Sequence, residues 1–174
     1  MPDVAIRKMC EDDRLPVMRL LSRWNMAPLA PSPDVPDPER STLLVENTFV
    51  ANADGILIGV ASYILHGDGS AETASLAVDP AWLGSHVGAN LQKARLMEMK
   101  ARGIERVRTE ADRPGVVDWY VRKFRYRIVG TARKKHPFGL ASVDHWTVLE
   151  LDLRAWQPRR TQDREADTDI RPTN

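Results

Sequence analysis

Residues 71–102 constrain the fold more than any other stretch. Ala71, Thr73, Ser75 and Ala77 alternate with Glu72, Ala74, Leu76 and Val78, and that period of two predicts a strand. Asp79-Pro80 ends it, because proline cannot donate to a ladder. Then come Leu83-Gly84-Ser85-His86 and a segment, about Val87 to Arg102, with apolar residues at Val87, Leu91, Ala94 and Ala101. Such spacing predicts a helix, and Gly103 stands where a helix commonly closes. A strand therefore feeds a helix N-terminus through a glycine-bearing loop. The first N–H groups of that helix have no intrahelical partner, and its dipole favours negative charge. The site is predisposed to hold a phosphate. Gly84 and Gly88 allow a ligand close to the main chain.

The flanking chain predicts more strands and two further helices. Val4 to Met9 alternates and forms a first strand; Glu11-Asp12-Asp13 then caps a helix to about Trp24. Leu15, Met18, Leu21 and Trp24 are its expected buried stripe. Thr48–Ala51 and Ile56–Leu65 read as strands joined through Asn52-Ala53-Asp54-Gly55, and Asp-Gly is a hairpin signal. His66 to Ser70 turns the chain into the strand at Glu72. Ile104–Glu110 predicts a strand, 115–124 a helix with Val117, Tyr120, Val121 and Phe124 inward, Tyr126–Thr131 a strand, 134–144 a loop, and His145–Leu153 the last strand. A meander of antiparallel strands followed by helix–strand alternation predicts an α+β single domain, with a mixed, mostly antiparallel sheet flanked by helices. It spans 1–155; residues 156–174 are polar and read as a disordered tail.

Composition narrows the partners. At 174 residues the chain suits one domain. Lys+Arg of 25 against Asp+Glu of 24 gives a formal net charge of +1, so no broad field favours nucleic acid or an anionic membrane. The lone cysteine, Cys10, excludes an internal disulfide framework and reads as a small buried hydrophobe. No signal segment or membrane-length apolar run is expected, and the expected location is cytoplasmic. His66, His136, Asp144 and His145 match no compact ligand spacing, so no metal is expected. Residues 25–41 carry prolines at 28, 31, 33, 36 and 38 with Asp34, Asp37 and Glu39. They read either as a substrate-shaping lid that draws in a cationic amine or as a solvated acidic loop.

Val78 to Leu91 reads V-D-P-A-W-L-G-S-H-V-G-A-N-L. It resembles motif A of the GNAT N-acetyltransferase superfamily, V-x-P-x-x-(Arg/Gln)-G-x-G-(Ile/Val)-G-x-x-L. Val78, Pro80, Gly84, Val87, Gly88 and Leu91 match. Leu83 replaces the usual Arg or Gln, and His86 the middle glycine. A second stretch, Ala111 to Gly130, is similar to N-x-x-A-x-x-x-Y-x-(Lys/Arg)-x-G-F-x-x-x-G. Tyr120, Arg122, Tyr126 and Gly130 match once one extra residue is allowed between Arg122 and Arg125, while Arg113 replaces Asn and Arg125 the helix-ending glycine. The opening I-R-x-x-x-x-x-D fits as well, so the likeness spans about Val4 to Leu153.

The resemblance implies an acetyl-CoA-dependent N-acetyltransferase. It places the pyrophosphate against Leu83, Gly84, Ser85, His86, Val87, Gly88 and Ala89, and the pantetheine arm against the main chain of Leu76, Ala77 and Val78. It makes Tyr120 the acid that protonates the CoA thiolate; a phenol of pKa near ~10 suits that leaving group. Otherwise Tyr120 is a core residue bonded to backbone. Glu72 is the first choice for the base and Glu110 the second. Lys134-Lys135-His136 forms a basic patch that either meets phosphates or is solvated. The expected acceptor is a small-molecule or amino-acid-like amine. A protein amine, or a non-catalytic CoA-binding or scaffolding role, are the alternatives, and a homodimer fits the family.

Overall fold

In the computed structural model, residues 2–30, 33 and 43–158 are described. Asp34, Asp37 and Glu39, and residues 159–174 of the expected tail, lie outside them. The elements run β1 (Val4–Lys8), α1 (Arg14–Arg23), β2 (Thr48–Ala53), β3 (Ile56–Leu65), β4 (Ser70–Val78), α2 (Val87–Ala101), β5 (Arg106–Ala111), α3 (Pro114–Phe124), β6 (Arg127–Arg133) and β7 (His145–Asp152). They form one mixed, mostly antiparallel seven-stranded sheet in the order β1-β2-β3-β4-β5-β7-β6. Among the described residues, only β4 and β5 pair in parallel.

Local chemistry explains the connections. Asp54 and Gly55 both take positive φ, the geometry a tight hairpin between β2 and β3 requires. Gly103, at φ 77°, closes the turn after α2. The alternation within each strand sends neighbours to opposite faces. Val50, Val60 and Ala77 pack with Val17, Leu20 and Leu21 of α1, whereas Ala51, Ala61 and Val78 pack with Val87 and Leu91 of α2. Gly59 lets α2 approach, since a Cβ there would come within 2.7 Å of Leu91 Cδ1. Leu96 and Met99 of α2 join Tyr120 and Phe124 of α3, Val107, Leu149 and Leu151 in the largest cluster.

Several sequence expectations are corrected here. Leu15 is 60% exposed, and α1 buries Val17, Leu20 and Leu21. On α2, Ala101 is exposed, and Gln92, Arg95, Leu96 and Met99 complete the buried face. Cys10 is exposed; it stands at a strand-to-helix turn, with its Sγ 3.2 Å from Asp13 Oδ2. Trp156, which composition assigns to the tail, is buried in the main cluster. Lys100 Nζ donates to the carbonyls of Leu153, Arg154 and Trp156 and ties that end to α2.

Candidate active site

The site begins where two strands part. β4 pairs with β5 only through Ser70, Glu72 and the residue between, opposite Arg106 to Arg108. Beyond that, β4 stays with β3 as far as Val78 opposite Gly59. β5 stays with β7 as far as Ala111 opposite Thr147. The two strands therefore diverge. At the apex the Thr73 and Thr109 hydroxyls hydrogen-bond to each other. The bend has a cause in the β3–β4 ladder. Ala61 faces Leu76 but Tyr63 faces Thr73, so β4 carries an extra residue, and such a bulge bends and twists its strand.

The divergence opens a cleft of about 540 Å³. Leu76, Ala77 and Val78 line it from β4, and Gly84, His86, Gly88 and Ala89 from the loop and the start of α2. Leu83, Ser85 and Val87 do not line it. Leu83 is 59% exposed, Val87 is buried in the core, and the Ser85 hydroxyl donates to the Trp82 carbonyl. Among the described residues, the N–H groups of Gly84, His86, Val87, Gly88 and Ala89 find no protein acceptor. Those donors fit a pyrophosphate. Gly84 holds φ 81° with nothing within 4 Å of a built Cβ. His86 takes the left-handed conformation, φ 66° and ψ 1°, as the residue capping α2. That conformation explains why glycine suits the position. One main-chain group of β4 is already engaged: the Val78 carbonyl accepts the Trp24 indole N–H at 2.9 Å.

Tyr120 reaches the cleft from α3 and is 4% exposed. Trp119 and Tyr126 meet its ring edge-to-face at 4.9 and 5.1 Å. Its hydroxyl oxygen accepts from Arg95 Nη2 at 3.1 Å. Burial pushes the Tyr126 phenol well above its ordinary value. Glu110 lines the cleft near the end of β5, its carboxylate 2.7 Å from Arg108 Nη2. Glu72 does not line it. It sits at the last β4–β5 pair, 3.8 Å from His66 Nε2. The structure thus brings Tyr120, the loop amides and Glu110 together and leaves Glu72 outside.

The opposite rim is tied shut by polar bonds. Gly139 N–H donates to the Asn25 carbonyl at 2.9 Å, and Asn25 Nδ2 donates to the carbonyls of Pro137 and Gly139. These join the end of α1 to the β6–β7 loop. Lys134 is not part of an exposed basic patch. Its side chain is 2% exposed, and its ammonium is bonded to Asp112, Phe138 O and Leu140 O. Trp24, Met26 and Trp146 wall the cleft here. Among the described residues, no group of three or more His, Cys, Asp or Glu side chains is placed to hold a metal, and no helix is long and apolar enough to cross a membrane.

Sequence reasoning missed Arg95, the Thr73–Thr109 apex and Trp24. Arg95 left one signal: it falls four residues after Leu91, in register with the buried face of α2.

The sequence profile of the acetyltransferase (GNAT) family matches residues 17–126, and the chain belongs to that family of N-acetyltransferases. No curated protein matches it in sequence. Among solved structures, the ribosomal-protein-S18-alanine N-acetyltransferase of Escherichia coli superposes with a TM-score of 0.66 at 17% identity, covering 87% of this chain and 94% of that one. An N-acetyltransferase from Staphylococcus aureus Mu50 gives 0.63 at 17%, over 87% and 99%. N-acetylglutamate synthase from Neisseria gonorrhoeae, solved with coenzyme A and N-acetyl-glutamate, gives 0.65 at 17%, over 88% and 36%. The present chain spans about a third of that enzyme's length. At these identities the likeness is one of fold.

Proposed function

We propose that this domain transfers the acetyl group of acetyl-CoA to the primary amine of a small-molecule or amino-acid-like acceptor. One observation carries the reading: Tyr120 lines the cleft made by the diverging strands, and the helix N-terminus, with no side-chain cap, opens onto the same cleft. Acetyl-CoA supplies an activated thioester. The amides of Gly84 and of His86 to Ala89 hold its pyrophosphate, and the stretch of β4 that has parted from β5 holds its pantetheine arm. Tyr120 gives its proton to the departing thiolate. Glu110 takes the proton of the amine, directly or through one water. We assign it that role over Glu72 because Glu110 lines the cleft and Glu72 does not. Trp24, Met26 and Trp146 suit an acceptor with an apolar body, and the bonds across the rim favour a small molecule over a protein segment.

Calorimetric titration with acetyl-CoA and with free CoA tests the donor site, and micromolar binding is expected. No binding at millimolar ligand would defeat the reading and leave a different ligand for this cleft. A panel of amines, followed by thiol release, then tests the transfer. Tyr120→Phe and Glu110→Gln should each lower turnover at least about tenfold, with acetyl-CoA affinity kept. Glu72→Gln should leave the pH–rate profile unchanged. Normal turnover in folded Tyr120→Phe would remove Tyr120 as the acid.

A further inference from the structure

Arg95 is a buried cation that the steps above do not use. It is 0% exposed, and an arginine stays charged in a protein. Burying such a charge is costly unless its donors are satisfied. Arg95 Nε donates to Gln92 Oε1 at 2.6 Å. Nη1 donates to the carbonyls of Ser62 at 2.9 Å and Ser75 at 3.0 Å. Nη2 donates to the Tyr120 hydroxyl at 3.1 Å. All four partners are neutral. The Ser62 and Ser75 carbonyls lie at the β3–β4 bulge, where the register shifts. One side chain therefore braces the bend that opens the cleft and also touches the phenol inside it.

We propose that Arg95 is a positioning residue for Tyr120, aiming its proton into the cleft and holding the phenolate that proton transfer leaves. The inference rests on the reading of Tyr120 as the acid. A guanidinium only donates, so the bond occupies a lone pair on the Tyr120 oxygen and leaves its own O–H free to donate elsewhere. In the step, the Tyr120 O–H bond breaks and an S–H bond forms on the departing thiol. The O–H electron pair stays on the phenolate oxygen, so negative charge moves from sulfur to an atom beside the guanidinium. Solvent, or the proton Glu110 took from the amine, restores the phenol. The counter-charge that Arg95 lacks at rest appears in the transition state, so the attraction is strongest when it lowers the barrier. Gln92 fixes the guanidinium plane: it accepts from Arg95 Nε, and its Nε2 donates to the Tyr126 hydroxyl at 3.1 Å.

A brace for the bulge alone would act equally with or without a hydroxyl at position 120. Single-turnover rates at saturating acetyl-CoA separate the two roles, using Arg95→Gln and Arg95→Lys each in the Tyr120 and Tyr120→Phe backgrounds. Arg95→Gln should cost at least about tenfold beside Tyr120 and no more than about twofold beside phenylalanine. Arg95→Lys should recover part of the rate only where Tyr120 is present. Equal losses in both backgrounds would overturn the inference while leaving Tyr120 as the acid. Normal turnover in Tyr120→Phe alone would defeat the acid reading first. A second measurement needs no Arg95 variant. In nitrogen-15 spectra, Tyr120→Phe should shift the Arg95 Nη2 protons and leave the Nε proton, held by Gln92, in place. Unmoved Nη2 protons would show that the contact does not exist.

Discussion

Arg125 ends α3 at φ 67° and ψ 27°, in the left-handed region that an L side chain enters at a cost of roughly 1–2 kcal/mol. The family pattern sets glycine there, and the backbone shows why: the turn needs that conformation whichever residue fills it. Arg125→Gly should raise stability by about 1 kcal/mol, read as a higher urea midpoint with an unchanged slope. The exposed side chain has no role in that turn, so turnover should not move. His86 stands in the same kind of position at φ 66°, facing the cleft. Both substitutions are visible in the sequence as departures from a pattern. Their physical meaning needs the dihedral angle.

β1 and α1 are joined by an ion pair with a pH signature. Arg7 Nη1 and Nη2 reach Asp13 at 2.6 and 2.8 Å, and the Cys10 N–H donates to the same carboxylate at 2.9 Å. The bond from Arg7 is the main reason that the Asp13 carboxyl lies well below its ordinary value; burial opposes it, and the Cys10 bonds add to it. The folded value lies below the unfolded one, so this contribution is complete above pH of about 4 and drains away as pH falls toward the folded value. The unfolding free energy should drop by about 1–2 kcal/mol below pH 4, the partial exposure of Arg7 keeping the figure modest. Asp13→Asn should flatten that slope. A slope identical in the variant would assign the acid sensitivity to other carboxylates.

Across the whole molecule, the cleft depends on two segments far apart in sequence meeting over its rim. Asn25 holds the β6–β7 loop with two side-chain bonds. Asn25→Ala should raise the acceptor KM about fivefold, near 1 kcal/mol, and leave the acetyl-CoA affinity unchanged. A matched loss of CoA binding would show that the rim shapes the donor side instead. Just after β5, Asp112 holds the same loop, accepting from Lys134 and from the Leu140 N–H. Asp112→Ala would strand a buried ammonium and should cost about 3–5 kcal/mol in unfolding free energy, a loss that urea titration would register directly.

The sequence by itself determined the element order, the hairpin at Asp54-Gly55, the strand–loop–helix from Ser70 to Ala101 and the placement of Tyr120. Each depends on interactions within a few residues: period-two or helical spacing, proline's missing N–H, glycine's access to positive φ. Helix faces were less legible. α1 is apolar around much of its circumference, so a stripe through Leu15 and one through Val17 fit the spacing about equally, and only the position of the sheet selects between them. The buried polar face of α2 was hidden for another reason. Gln92 and Arg95 are tolerable in a core because Ser62, Ser75, Tyr120 and Tyr126 supply their partners, and those residues come from β3, β4, α3 and the turn after α3. That Glu110 lines the cleft and Glu72 does not likewise turns on where β4 leaves β5. That divergence follows from a bulge set by pairing between strands, which hydropathy along one strand does not encode.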